Sequence, residues 1–321
     1  MTKKKTFFLL LTLLVLAAAN IWLVTQYRQR NMDSFLAAYL DKSKALAETK
    51  SPKIIIVGGS SAVFGYRSNL IQQRTGLPVV NTGLQGGVGI RFYLNAIEPY
   101  IGEGDIILIS PEYHNFTNHF SGPDTLLQLL IIDPASLRYI SSLEEVLKLI
   151  KVIPAVHTQA IKNLVLDDYF HCKTCFKEEA IYFRAAFDQN GDYIFGKVEP
   201  EYTSTPFIVD VSASRKNYQD QIKVLNRFAA YARSKGAQVV LAYPPTTRFG
   251  NAATVDYLAA LDATLRRELT FPVVGTPADS QFDSLFMFDT YYHLNANGSV
   301  IHTNRVLEAL CALDLSLTCT H

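Results

Sequence analysis

Three stretches of the chain carry residues able to do acyl chemistry, and each follows an apolar run. The first is Lys53 to Ser68, KIIIVGGSSAVFGYRS, where Gly58 and Gly59 lead into Ser60 and Ser61. The second is Asn81 to Gly87, NTGLQGG, directly after Val79 and Val80. The third is Asp289 to Gly298, DTYYHLNANG. A serine hydroxyl is a poor nucleophile until a base takes its proton, and histidine suits that task near neutral pH. An acidic side chain then fixes the imidazole tautomer and stabilises the imidazolium. The oxyanion that forms needs donors already in place, commonly backbone N–H groups of a Gly-rich loop. Ser60 or Ser61, His293, Asp289, and Gly83 with its neighbours supply these parts.

Two other readings of the first stretch compete. A phosphate cradle is disfavoured, because the glycines form neither GxxxxGK[ST] nor a clean GxGxxG. A plain βα turn would use Gly to turn and Ser to cap the helix, and Ser61 suits that role. The histidine and aspartate at the far end of the chain decide for the nucleophile.

The elements that must position these residues can be read from periodicity. Ile54 to Val57 have no polar interruption, as in a strand buried on both faces of a parallel sheet. Val79–Val80, Asp105–Ile109, Val239–Ala242 and Pro272–Gly275 read as four more strands. Helical patterns cover Ser68–Arg74, Phe92–Ile101, Leu126–Ile132, Leu143–Val152, Ser214–Lys235, Val255–Leu269 and Gly298–Leu313. Strand, Gly-rich loop and helix recur in that order, which predicts a doubly wound parallel sheet of about five strands. Sites in such sheets lie at the carboxyl ends of the strands. Residues 116–212 read as an insertion over that edge, and DQNGDY within it as a turn rather than a calcium loop.

Composition narrows the classes. A net charge of +1 gives no electrostatic case for nucleic acid. Lys3, Lys4 and Lys5 precede an apolar run from Phe7 to about Val24, long enough to span a bilayer. Basic residues before it favour a cytoplasmic N-terminus and an external domain. A cleaved signal at Ala17–Ala19 is the alternative, disfavoured because Ile21 to Val24 continue the run. Residues 1–31 then form stub and anchor, 32–52 a linker helix or stalk, and 53–321 the α/β domain. Cys172, Cys175, Cys311 and Cys319 suit disulfides in that compartment, with three connectivities open. A zinc site using His171, or a redox CxxC, is the weaker reading.

With its blocks in this order, the sequence resembles the SGNH/GDSL hydrolase superfamily. It is most similar to the membrane-anchored bacterial branch that includes DltD and the alginate O-acetylation proteins. GGSSAVFG resembles block I, NTGLQGG block II and DTYYHLNANG block V; together they cover about residues 53–110 and 237–312. The resemblance implies a three-layer α/β/α fold. It implies Ser60 as nucleophile and oxyanion donor, Gly83 as a second donor, His293 as base and Asp289 as acid. It implies no metal or organic cofactor. The function implied is an esterase or O-acyltransferase for an acylated cell-surface or exported polysaccharide. Such a protein would sit in the bacterial inner membrane, with its domain in the periplasm or outside and a membrane-bound acyl-transfer protein as partner.

Three departures stand out. Block I usually reads GDS; Ser60 is preferred over Ser61 because Gly65 then stands five residues on. Asp289 and His293 are four apart, where three is common. Block III normally carries an oxyanion-hole Asn; here Glu112 stands nearest that place and Asn115 lies late. Glu112, Asn115 and Ser61 are therefore candidate substrate contacts. His114 and His119 read as solvated loop histidines, and Tyr291 and Tyr292 as packing residues. A carboxylate repels an oxyanion, so Glu112 also motivates a second reading: a catalytically silent domain that binds glycan or a membrane partner.

Overall fold

Runs of apolar residues without a polar break form the centre of the molecule, as burial on two faces requires. The computed structural model describes residues 3–116, 122–169, 181–195, 205–209 and 218–313, together with 315, 317 and 319. In chain order these give α1 (Lys3–Arg30), α2 (Ala38–Glu48), β1 (Ile54–Gly58), α3 (Ser60–Gly65), α4 (Ser68–Thr75) and β2 (Val79–Asn81). Next come α5 (Ile90–Ile97), β3 (Ile106–Ser110), α6 (Pro123–Ile132), α7 (Leu143–Tyr169) and α8 (Tyr218–Ser234). The last are β4 (Gln238–Ala242), β5 (Thr246–Thr247), α9 (Ala252–Glu268), β6 (Val273–Val274), β7 (Gln281–Phe282) and α10 (Ala296–Cys311).

Five strands pair in parallel in the order β2-β1-β3-β4-β6, and β5 pairs with β7 apart from them. The chain starts at β1, steps outward to β2, then crosses to β3 and continues the other way. The order therefore reverses between β1 and β3, where open α/β sheets open a crevice. In register, Gly58 stands opposite Ser110. Ser60 and Glu112, each two residues further on, are thus brought side by side.

Alternate residues of the strands bury opposite faces. Ile55, Val57, Ile107, Ile109 and Leu241 join a core with Phe92, Leu225, Phe228 and Leu258. Ile54, Ile56, Ile106, Leu108 and Val240 join another with Ile71, Val306, Leu307 and Leu310. At the foot of β1, Lys53 Nζ lies 2.8 Å from Asp105 Oδ2 in a fully buried pair. Asp105 Oδ1 also accepts from Lys53 N at 2.9 Å, so the starts of β1 and β3 are locked together.

Several elements differ from the sequence expectation. The stretch from Met32 is not a free stalk: Phe35, Leu36, Ala37, Ala38, Tyr39 and Leu46 all enter the main core. They are apolar at helical spacing and can be buried only against the domain. The helix read at Ser68–Arg74 is present as α4, and a short unexpected helix, α3, precedes it from Ser60 before Tyr66 returns to extended backbone. α7 runs on past Val152 to Tyr169 despite Pro154. Asp188 Oδ1 accepts from Asn190 N and Asp192 N, closing the DQNGDY turn around Gly191, which has φ +89°. Cys311 and Cys319 form a disulfide. Cys172, Cys175, His171 and His119 lie outside the described residues. α1 is one helix of 28 residues, long and apolar enough to cross a membrane.

Candidate active site

Ser60 is the first residue of α3, placed by the extended turn at Gly59. Its Oγ lies 2.8 Å from His293 Nε2. Ser61 is the next residue on the same helix, and a helix turns about 100° per residue, so only one of the two hydroxyls can face the imidazole. Ser61 Oγ is buried and has no hydrogen-bond partner among the described residues. Phe64 is one turn beyond Ser60 and therefore on the same side. Its ring stacks on His293 with centroids 4.1 Å apart and planes 12° from parallel. α3 thus presents a hydroxyl to the edge of the imidazole and a phenyl ring to its face.

The histidine is carried by a tight loop between β7 and α10. His293 N donates to Thr290 O at 3.4 Å, and Phe288 N donates to His293 O at 2.8 Å. This closes the loop so that Asp289 Oδ1 lies 2.7 Å from His293 Nδ1. The four-residue spacing accommodates the contact. With a carboxylate beside Nδ1, the Nδ1–H tautomer is favoured and Nε2 is left to accept from Ser60. Burial alone would raise the Asp289 carboxyl, but the His293 and Tyr182 hydrogen bonds outweigh it and hold its pKa below the ordinary value.

Tyr182, in the insertion, is a member of the site that sequence reasoning missed. Its hydroxyl donates to Asp289 Oδ2 and lies 3.1 Å from His293 Nδ1. Phe35 packs edge-on against its ring at 5.4 Å. The neighbouring Arg184 N donates to Asp33 O at 2.8 Å, and its guanidinium grips Asp41 with 2.6 and 2.7 Å contacts. The segment just after α1 therefore helps to hold Tyr182. No spacing signal marks a tyrosine of this kind, because it meets the histidine from more than 100 residues away in sequence.

On the other side of Ser60 stands Glu112, with 3 % of its surface exposed. Its Oε1 is 3.1 Å from Ser60 Oγ and accepts from Ser61 N at 3.0 Å. Its Oε2 is 3.4 Å from His114 Nδ1, so His114 is part of this edge rather than a plainly solvated loop residue. Gly59 and Gly86 fit closely around the carboxylate, and a Cβ at either would collide with it. Glycine is required here for close approach, not for a left-handed turn.

Two expected contacts are placed differently. Gly83 N donates to Asn81 Oδ1 at 3.0 Å, so this N–H is taken up inside its own loop and is not offered to an oxyanion. Asn81 Nδ2 donates to Ala62 O at 3.0 Å and Asp192 Oδ1 at 2.9 Å, which ties the second loop to α3 and to the insertion. Asn115 is a loop clamp, not an exposed contact. Its Nδ2 donates to Glu112 O at 3.2 Å and its Oδ1 accepts from Ile90 N at 3.2 Å, so both ends of the buried amide are engaged within the loop. Tyr292 packs as expected, and its hydroxyl accepts from Tyr113 N at 3.0 Å.

Among the described residues, no three His, Cys, Asp or Glu side chains cluster to hold a metal ion. What the arrangement can do chemically is move the Ser60 proton to His293, with Asp289 and Tyr182 steadying the imidazolium. A comparison with protein-family models and with curated proteins finds no match for the chain.

Proposed function

We propose that the chain is a membrane-anchored serine esterase or O-acyltransferase of SGNH type, with the three-layer arrangement of that superfamily. Its proposed substrate is an acylated cell-surface or exported polysaccharide, met outside the cytoplasm of a bacterium, and a membrane-bound acyl-transfer protein is its proposed partner. The observation that carries the reading is the continuous contact from Ser60 Oγ through His293 to Asp289, at 2.8 and 2.7 Å. In the first step Ser60 Oγ bonds to the acyl carbon while its proton passes to His293 Nε2. The tetrahedral adduct collapses as the C–O bond to the leaving alcohol breaks and His293 returns the proton to it. Water or a sugar hydroxyl then attacks the acyl-Ser60, giving its proton to His293; the bond from the acyl carbon to Ser60 Oγ breaks, and His293 returns the proton to Ser60 Oγ. Among the described residues one helix, α1, is long and apolar enough to cross a membrane, which supports anchoring, and the three lysines at its start support a cytoplasmic N-terminus.

A second reading is a silent glycan- or partner-binding domain. The observation favouring it is Glu112, whose buried carboxylate lies 3.1 Å from Ser60 Oγ, where it would repel an oxyanion. Release of p-nitrophenol from p-nitrophenyl acetate separates the two. The full chain in detergent is compared with Ser60→Ala, Ser61→Ala and His293→Ala. The esterase reading expects turnover lost with Ser60→Ala and His293→Ala and kept with Ser61→Ala. No turnover in the folded parent would favour the silent domain.

A further inference from the structure

Six exposed large apolar side chains lie on α7 and take no part in the acyl chemistry: Leu143, Val146, Leu147, Ile150, Ile153 and Ile161. At about 100° per residue they fall in one sector of the helix, roughly a third of its circumference. The adjoining sector, with Leu149, Val156 and Ala160, is buried, and Leu149 joins the main core. A third carries Glu144, Lys151 and Lys162, all exposed. A helix needs only the buried sector to dock on its own domain. The outward apolar stripe is surplus to folding and faces away from the core.

What covers the stripe is indicated by α1. Asn20 is one of two polar residues interrupting the apolar run of α1, and its Nδ2 donates to His157 Nε2 at 3.2 Å. His157 lies on α7, and its Nδ1–H donates to Ile153 O at 2.9 Å. A side-chain amide in a spanning helix is costly unless paired, and its partner must reach the same depth. Asn20 stands four residues before the end of the run at Val24, about 6 Å along the helix axis. α7 therefore meets the anchor at the outer boundary of the hydrocarbon layer.

The geometry points to α7 as an interfacial helix, whose Leu143–Ile161 stripe rests on lipid acyl chains beside the anchor. Lys151 and Lys162, on the adjoining polar sector, face the headgroup phosphates, the arrangement of helices that lie in a membrane surface. This rests on α1 being the membrane span of the proposed function, but not on the chemistry at Ser60. The domain is thereby held to the bilayer at two places, by a span and by a surface helix.

The test uses the full chain in vesicles of phosphatidylcholine and phosphatidylglycerol, with and without brominated acyl chains. Trp22 is the chain's one tryptophan and reports on α1. In a Trp22→Phe background, Ile150→Trp and Leu147→Trp report on the stripe, and Ala155→Trp on the polar sector. The expected result is that both stripe reporters lose about half their emission to brominated chains, as a side chain buried at the acyl boundary does. The Ala155→Trp reporter is quenched instead by aqueous iodide. Stripe reporters quenched by iodide and not by brominated lipid overturn the proposal. So does protection from both quenchers, the mark of a protein neighbour such as a second copy. If Trp22 itself is not quenched by brominated lipid, the spanning reading of α1 fails and the proposal falls with it. Trp22 quenched while the stripe is not sinks only the role of α7.

Discussion

Ser60 stands between two ionisable side chains that would act on its reaction in opposite directions. On one side, His293 Nε2 is 2.8 Å away, backed by Asp289, by the Tyr182 hydroxyl and by the face of Phe64. Each polar atom of that chain has a partner, and the geometry orients a proton acceptor. On the other side, Glu112 Oε1 is 3.1 Å away and occupies the Ser61 N–H. The hydroxyl has one proton and two acceptors compete for it. Activating a nucleophile and stabilising an oxyanion are separate tasks, and the two sides of this serine treat them separately. The His293 side fits the first task. The Glu112 side puts a carboxylate where the second task needs donors.

The largest expected effect breaks the His293 side. His293→Ala is expected to lower turnover of p-nitrophenyl acetate by about 10⁴-fold, the scale found when a triad member is lost. Turnover within a few-fold of the parent would remove His293 from the chemistry. Next is Glu112→Gln, which keeps the shape but removes the charge. It is expected to raise turnover, by about tenfold or more, because loss or gain at an oxyanion site acts on the 10²–10³ scale. A fall instead would make Glu112 a helper of the reaction, not an obstacle to it. Third is Tyr182→Phe, expected to lower kcat about tenfold with KM unchanged, the scale of one hydrogen bond to a charged group. A change confined to KM, or no change, would leave Tyr182 a packing residue.

The smallest effect concerns stability and is read by urea unfolding of the parent and of Asp289→Asn. The Asp289 carboxyl titrates below its ordinary value in the fold. The unfolded chain therefore binds the proton more readily, and ionised Asp289 favours the folded state. That contribution is fully present above the unfolded pKa and is lost as pH falls through the lower, folded one. The stability difference between parent and variant is expected to shrink below about pH 4. A difference that stays constant from neutral pH to pH 3 would mean that Asp289 is not held ionised by its neighbours.

The two sides of Ser60 were not equally legible in the sequence. β1, β3 and β4 are largely unbroken apolar runs, and the loops after β1 and β2 were found from their glycines. The Asp289–His293 pair was visible because both residues lie in one short polar loop. Glu112 was noticed as standing near the expected place of a donor, but its closeness to Ser60 comes from the β1–β3 register, a fact of pairing rather than of spacing. Gly83 was misjudged for a similar reason: the side chain of Asn81, two residues earlier, takes up its N–H. Tyr182 was not legible at all. It depends on the insertion folding back onto the segment after α1, where Phe35 and Asp41 meet Tyr182 and Arg184. Tertiary docking of that kind leaves no period in the chain. The segment from Met32, read as a linker helix or stalk, is helical over Ala38–Glu48, but its packing on the core was not legible, since a helix that covers a core and one that serves as a stalk share a 3.6-residue pattern.

The most direct test of the central claim is covalent labelling of the full chain with a fluorophosphonate, followed by mass spectrometry of the labelled peptide. The probe bonds only to a serine whose proton is taken by a neighbouring base, and it needs no acyl acceptor. The account predicts one adduct on Ser60, absent from His293→Ala and formed faster in Glu112→Gln. An adduct on Ser61, an adduct on Ser60 that persists without His293, or no adduct in the folded protein would contradict it.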